Sequence, residues 1–125
     1  FHGEYKGEAL ATVNSTNTAV AVGSGSLPVF ATPMMLALME EATCEAASAI
    51  LDDGETTVGI KVEITHDKAS AMGATVSASA KLEAVDGRRL VFSVSAKDDN
   101  GNITGKGTIE RFVVNCDKFM KKVNG

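Results

Sequence analysis

The segment that most constrains the fold is residues 23–41, which reads GSGSLPVFATPMMLALMEE. A loop of small residues leads into a helix, which we expect to begin with Thr32 as N-cap and Pro33 at the first helical position. The first two turns are almost wholly apolar, and two adjacent carboxylates, Glu40 and Glu41, follow. Because so apolar a helix cannot lie on a surface, other structure must wrap it. A carboxylate close to a core is costly and usually serves chemistry or a specific partner.

The remainder of the chain is typical of β-strands. Alternating apolar and polar residues predict strands over residues 5–13, 56–65, 75–85, 89–97 and 103–114, and the helix over residues 32–51 lies between the first two. A polar connector spans residues 14–22, a turn at Asp86 and Gly87 suits a tight hairpin, and residues 116–123 form a short amphipathic tail. This order predicts an α+β protein, a single domain over residues 1–125, in which a curled antiparallel sheet wraps around one long central helix.

A sheet curled around one helix leaves one side of that helix to be covered. A chain of 125 residues has few other elements that could cover it. We therefore expect a homodimer, which either joins two sheets edge to edge or packs two helices face to face.

Charge is distributed unevenly along the chain, which carries a net charge of −4. Residues 1–60 hold eight acidic residues and one lysine, whereas residues 61–125 hold eight acidic and eleven basic residues. The acidic first half argues against nucleic-acid binding. No basic residue lies between Lys6 and Lys61, so Glu40 can meet a cation only from the second half or from another subunit.

The two cysteines, Cys44 and Cys116, lie far apart and have no metal-ligand spacing. No signal peptide is recognisable, and no apolar run approaches the roughly 20 residues of a membrane span. Residues 98–102, DDNGN, fail the spacing of a calcium loop and predict a turn. We expect a cytoplasmic protein with reduced thiols, without a metal site and without a membrane partner.

Three side chains are candidates for proton transfer or oxyanion binding. His66 ends a predicted strand on the same face as Val58, Ile60, Val62 and Ile64, so it should point inward and could carry protons near neutral pH. A strand-end histidine that bonds a backbone carbonyl is the alternative. Thr32 needs no role beyond the helix N-cap, although that N-terminus could stabilise an oxyanion.

Glu40 is the better candidate for a partly buried base, because it lies near Leu36 and Ala47 on the helix. Glu41 shares the most polar strip of the helix and should be solvated. Thr32 and Glu40 are about 12 Å apart along the axis, so a substrate, a third group or a subunit interface must join them. The arginines that could contact a phosphate, or be solvated or paired instead, are Arg88, Arg89 and Arg111.

Four blocks, LPVFATPMMLALMEEA, GETTVGIKVEITH, VDGRRLVFSVSAKD and GKGTIERF, together resemble the fluoroacetyl-CoA thioesterase-like family of hotdog-fold proteins. The resemblance extends from about Val22 to Phe119, with the blocks in family order. It implies a hotdog fold, usually dimerised through the sheet. A tetramer is the other assembly that we consider for this chain. It also implies catalytic roles for Thr32, Glu40 and His66.

The same resemblance implies that Gly59, Arg111 and Phe30 contact the substrate. The implied function is hydrolysis of a small acyl-CoA thioester to the free acid and CoA, with no cofactor beyond the CoA of the substrate. Whether Thr32 or Glu40 attacks stays open. A hotdog dehydratase or isomerase, and a non-catalytic acyl-CoA binding module, are the alternatives.

The chain departs from the family at two places. Ile109 stands where the family often has a histidine before the glutamate and arginine of the last strand. Gly25, Ser26 and Leu27 stand in a loop that is aromatic in the fluoroacetyl-specific type. The resemblance therefore implies the general activity rather than selectivity for the fluoroacetyl group.

Overall fold

The computed structural model describes residues 4–125. A five-stranded antiparallel sheet, in the order β1-β3-β4-β5-β2, curls around one long helix. The predicted fold class is confirmed, and each predicted strand is present with its ends shifted by no more than one residue. The elements are β1 (Lys6–Thr12), α1 (Ala19–Val22), α2 (Thr32–Ala47), a 3₁₀ turn (Ser48–Ile50), β2 (Glu55–His66), β3 (Thr75–Asp86), β4 (Arg89–Lys97), β5 (Ile103–Asn115) and α3 (Cys116–Asn124).

Helix α2 buries one face against the concave side of the sheet. Met35, Leu38 and Met39 are its large core residues, and they join side chains from the three central strands. The largest of these strand residues are Leu82, Leu90, Phe92 and Ile109. The opposite face of α2 stays open between the two edge strands, β1 and β2, where Ala37, Glu41 and Cys44 are exposed. No helix within residues 4–125 is long and apolar enough to cross a membrane.

The start of α2 differs from the prediction. Ala31, not Thr32, is the N-cap residue, and Thr32 is already the first helical residue. Backbone bonds fix this entry instead of a side-chain cap: Ala31 N–H donates to Asn17 O at 3.0 Å, and Phe30 N–H donates to Ser70 O at 2.9 Å. The hydroxyl of Thr32 is thereby left available for a different partner. The connector before it contains the short helix α1, which the sequence did not predict.

Strand β2 contains a bulge that overturns the first part of the predicted inward row, Val58 and Ile60. The pairing with β5 runs from Gly59↔Arg111 to Lys61↔Glu110, so Ile60 is the extra residue. Directly paired residues share a face of the sheet. The extra residue therefore reverses which residues of β2 face inward on the side of the bulge that precedes Ile60. Val58 pairs with the exposed Phe112 and does not face inward, whereas Thr57 is buried. Ile60 is exposed, whereas beyond the bulge Val62 pairs with the buried Ile109. The predicted inward face is therefore confirmed for Val62, Ile64 and His66, although Val62 is partly exposed on the edge strand.

The helix α2 and the strand β1 approach each other closely at Gly7. A side-chain Cβ at this position would overlap the backbone of Ala42 and Ala46. Only a residue without a side chain therefore lets β1 lie flat against the helix. The same contact explains why the inner face of α2 is lined by alanines at this level.

We predict that Gly7→Ala lowers the free energy of unfolding by about 1–3 kcal/mol, because the backbone of α2 cannot yield and β1 must move outward. Gly25→Ala is the matched control, since a Cβ there meets only the Cβ of Ala19 at 3.3 Å. Urea unfolding of the two variants measures the difference. Equal stability of the two variants would show that the close approach is not needed.

Candidate active site

Thr32 and His66 form the first cluster of the site. Thr32 Oγ1 lies 2.7 Å from His66 Nδ1, a hydrogen bond between the first turn of α2 and the end of β2. The pairing of β2 with β5 sets the position of His66 opposite Gly105. When Nδ1 is unprotonated, it accepts the proton of the Thr32 hydroxyl, which is the geometry of a general base and its nucleophile.

The surroundings of His66 favour its neutral form. Burial is the main cause that lowers the pKa of the imidazole below its ordinary value of 6.5, and the nearby charge of Asp67 opposes this shift. The other ring nitrogen, Nε2, is buried without a hydrogen-bond partner among residues 4–125. The imidazole is therefore unprotonated at neutral pH and can accept a proton.

Glu40 and Arg111 form the second cluster. Arg111 Nη1 donates to Glu40 Oε2 at 3.2 Å, while Arg111 Nε donates to Thr57 Oγ1 at 2.8 Å and Nη2 to the Thr57 carbonyl at 3.1 Å. The Arg111 side chain is 9% exposed, whereas that of Glu40 is 36% exposed. One oxygen of the Glu40 carboxylate therefore bonds to the buried guanidinium of Arg111, while the rest of the carboxylate faces a groove. Arg111 belongs to the second half of the chain, as the charge distribution required.

Gly59 provides the space for this ion pair. It lies directly opposite Arg111 in the β2–β5 ladder, on the inward side that the bulge selects. A Cβ at Gly59 would lie 3.0 Å from Glu40 Oε2 and 3.5 Å from Arg111 Nη1. A larger residue would therefore displace the carboxylate. Gly59 therefore lies beside the carboxylate of the catalytic candidate Glu40.

Two concave regions meet at Phe30. Thr32 and His66 line a cavity of about 210 Å³, and Glu40 and Arg111 line a groove of about 490 Å³ along the open face of α2. Phe30 contributes to the walls of both regions although only 2% of it is exposed. The structure thus brings Thr32 to His66, and Glu40 to Arg111 and Gly59. It does not bring the two clusters into hydrogen-bonding contact.

The remaining candidates lie outside these clusters. Arg88 pairs with Glu55, and Arg89 pairs with Asp86 and Glu110, so carboxylates already hold these two arginines. Glu41 is exposed, as predicted.

The predicted turn at residues 98–102 is confirmed. Asp98 accepts backbone N–H bonds from Asn100 and Asn102, and the bond from Asn102 is the main cause that lowers the pKa of Asp98 to about 2. Within residues 4–125, no group of three His, Cys, Asp or Glu side chains could hold a metal ion.

Thr57 is the site residue that sequence reasoning missed. The predicted alternation placed Val58 inward, and Thr57 therefore outward. The bulge reverses that order. A glycine in a strand is a known signal for a bulge, and Gly59 was that signal.

Comparison with known proteins agrees with this fold. A solved structure of the fluoroacetyl-CoA thioesterase FlK superposes with a TM-score of 0.89 at 34% identity, covering 99% of this chain and 96% of that one. A hot-dog-like protein from Thermanaerovibrio acidaminovorans superposes with a TM-score of 0.84 at 27% identity, covering 94% of this chain and 87% of that one. The fold is therefore the hotdog fold of acyl-CoA thioesterases.

Sequence comparison identifies the family of hotdog-fold thioesterases to which the chain belongs. The profile described as fluoroacetyl-CoA-specific thioesterase, FlK, matches residues 13–117. The fluoroacetyl-CoA thioesterase of Streptantibioticus cattleyicolor is 44% identical over 95 residues, which is 76% of this chain and 68% of that protein. The chain belongs to the FlK family of fluoroacetyl-CoA-specific thioesterases.

We predict that His66 titrates below 6.5, because burial disfavours the imidazolium. At pH values between the lowered pKa and 6.5, the unfolded chain therefore binds more protons than the folded protein. The free energy of unfolding should consequently rise as the pH increases across that range. NMR titration of the ring and urea unfolding at several pH values measure the two effects. The variant His66→Gln should lose this part of the pH dependence. A ring that titrates above 6.5 would contradict the prediction.

Proposed function

We propose that the protein hydrolyses a small acyl-CoA thioester to the free acid and CoA. Membership of the FlK family supports this activity. The observation that carries the assignment of the site is the bond of 2.7 Å between Thr32 Oγ1 and His66 Nδ1 at the start of α2. A hydroxyl next to a neutral imidazole, at a helix end that favours negative charge, is an arrangement suited to acyl transfer.

The thioester carbonyl would lie at the N-terminus of α2. The N–H of Thr32 and the positive end of the helix dipole would stabilise the oxyanion that forms there. Pro33 has no N–H, and the N–H groups of Met34 and Met35 donate to the Ala31 carbonyl, so the Thr32 N–H is the donor of the first turn that remains for a ligand. The cavity beside Thr32 and His66 would hold the reacting group.

Glu40 would act from the adjoining groove as base or nucleophile, and His66 would carry a proton to the leaving thiolate. Two routes are consistent with the geometry. In one, Thr32 attacks the carbonyl with its proton passing to His66, and water then releases the acid. In the other, Glu40 attacks directly or activates the water. The helix separates Thr32 from Glu40 by about 12 Å, so the bound thioester must extend from one cluster to the other.

We further propose that the acyl group is not restricted to fluoroacetyl. The loop before α2 carries Gly25, Ser26 and Leu27, which are exposed and include no aromatic side chain to close over the acyl group. A reducing, cytoplasmic setting is part of the same proposal, since Cys44 and Cys116 are both free thiols.

We propose that the protein works as a homodimer formed through β2, with a tetramer of two such dimers as the further step. Strand β2 is an edge strand of the sheet over residues 4–125, and its outer side pairs with no strand there. Ile60 is 51% exposed and Val62 is 40% exposed on this edge. An apolar unpaired edge favours pairing with a second copy, and a two-fold axis makes that pairing antiparallel. The open face of α2, with the Glu40 groove, borders this edge.

Glu40→Gln and His66→Ala should each lower kcat for a short acyl-CoA by at least about 100-fold, because each removes a proton-transfer group. Thiol release from an acyl-CoA panel measures this, and thermal melting checks that the variants fold. Glu41→Gln is the matched control, since its carboxylate is exposed on the same helix. Unchanged thiol release in both variants, or a melting shift with acyl-CoA but no turnover by the wild type, would overturn the proposed function.

Ile60→Lys combined with Val62→Lys should halve the molecular mass in solution and lower activity, because charges on the edge oppose strand pairing. Leu10→Lys is the matched control, since Leu10 is 72% exposed on the opposite edge strand, β1. Light scattering after size-exclusion chromatography measures the mass. A wild type that is monomeric while fully active would contradict the proposed dimer.

A further inference from the structure

The hydrogen bonds of Arg111 are shared unequally. One bond of its side chain reaches Glu40, whereas two reach Thr57, one to the hydroxyl and one to the carbonyl. The two bonds to Thr57 are buried, and the bond to Glu40 is only partly buried. The rigid fork of a guanidinium fixes the directions of all its N–H groups at once. Thr57 therefore determines how Arg111 is aimed at the carboxylate.

The bulge in β2 creates this arrangement. It places Thr57 and Gly59 on the inward face together with Arg111, and Gly59 lies directly opposite the arginine. Because Gly59 has no side chain, the guanidinium can pass over it and reach both Thr57, diagonally across the ladder, and Glu40 on α2. Thr57 itself is only 7% exposed, so water does not compete for its hydroxyl.

Glu40 has little else to hold it. Its side chain is 36% exposed, and among residues 4–125 its carboxylate bonds only to Arg111. A partly exposed glutamate has several staggered conformations available, and one charge-assisted bond selects among them. A change in the direction of Arg111 would therefore change where the carboxylate points.

We propose that Thr57 is a positioning residue for the reaction: by clamping Arg111, it orients the Glu40 carboxylate in the groove. This inference rests on the proposed function of Glu40. A purely structural role, in which the hydroxyl only satisfies a buried N–H, is the competing explanation. The two differ in what they predict for turnover at a temperature where all variants are folded.

The test compares Thr57→Val, which keeps the shape but removes the hydroxyl, with Thr57→Ser, which keeps the hydroxyl. Thr57→Val should lower kcat for a short acyl-CoA by about tenfold or more while KM changes by less than about twofold, because the base is misplaced rather than the binding surface lost. Thr57→Ser should restore kcat to within about threefold of the wild type. Thr56→Val is the matched control, since Thr56 is its exposed neighbour on the same strand. Thr57→Ala replaces Thr57→Val if the latter does not fold.

A second measurement keeps this test separate from that of the function. The ¹³C resonance of the Glu40 side-chain carboxyl should move in Thr57→Val and stay in place in Thr57→Ser and Thr56→Val. If the wild type releases no thiol from any acyl-CoA, the proposed function fails, and the carboxyl resonance still decides whether Thr57 orients Glu40. A Thr57→Val variant with wild-type kcat, or with an unmoved Glu40 resonance, would overturn the inference.

Discussion

The ion pair between Arg111 and Glu40 is the interaction on which the arrangement of the site depends. It joins the last strand to the central helix across the core, with the arginine almost fully buried and the carboxylate half exposed. A buried guanidinium needs a partner for its charge and for each N–H group, because leaving either unpaired costs several kcal/mol. Thr57 and Glu40 supply those partners, and the missing side chain at Gly59 supplies the space. The direction of Glu40 is thus a consequence of the packing of the core.

The cluster of Thr32 and His66 depends on local backbone structure rather than on an ion pair. Thr32 and His66 lie at the rim of the barrel-like sheet, where a helix begins and a strand ends. Backbone bonds cap the entry to α2, so the Thr32 hydroxyl can bond to the imidazole instead of serving the helix. Burial keeps that imidazole neutral. One helix therefore carries a nucleophile–base pair at its start and an oriented carboxylate two turns later, and a thioester bound along it could meet both.

Much of this could be predicted from the sequence, because the spacing of apolar residues reflects which side chains are buried. The strands and the wrapped helix follow from that spacing. The charge distribution further predicts that a cation for Glu40 comes from the second half of the chain or from another subunit. The N-cap and the face of β2 could not be predicted, for separate reasons. Thr32 satisfies the local rule for an N-cap, but a tertiary bond to His66 uses its hydroxyl instead. The extra residue at Ile60 reverses the alternation of β2, and a strictly alternating sequence gives little indication of a bulge besides Gly59 itself. Thr57 was missed for that reason.

The most direct test of the proposed site is a crystal structure of the Thr32→Ala variant with a short acyl-CoA. We expect the thioester carbonyl at the N-terminus of α2 beside His66, and the ligand to extend toward a Glu40 carboxylate still held by Arg111. We also expect the edge strand β2 to pair with its copy. An acyl-CoA bound on the outer face of the sheet, or with its carbonyl away from both His66 and Glu40, would contradict it.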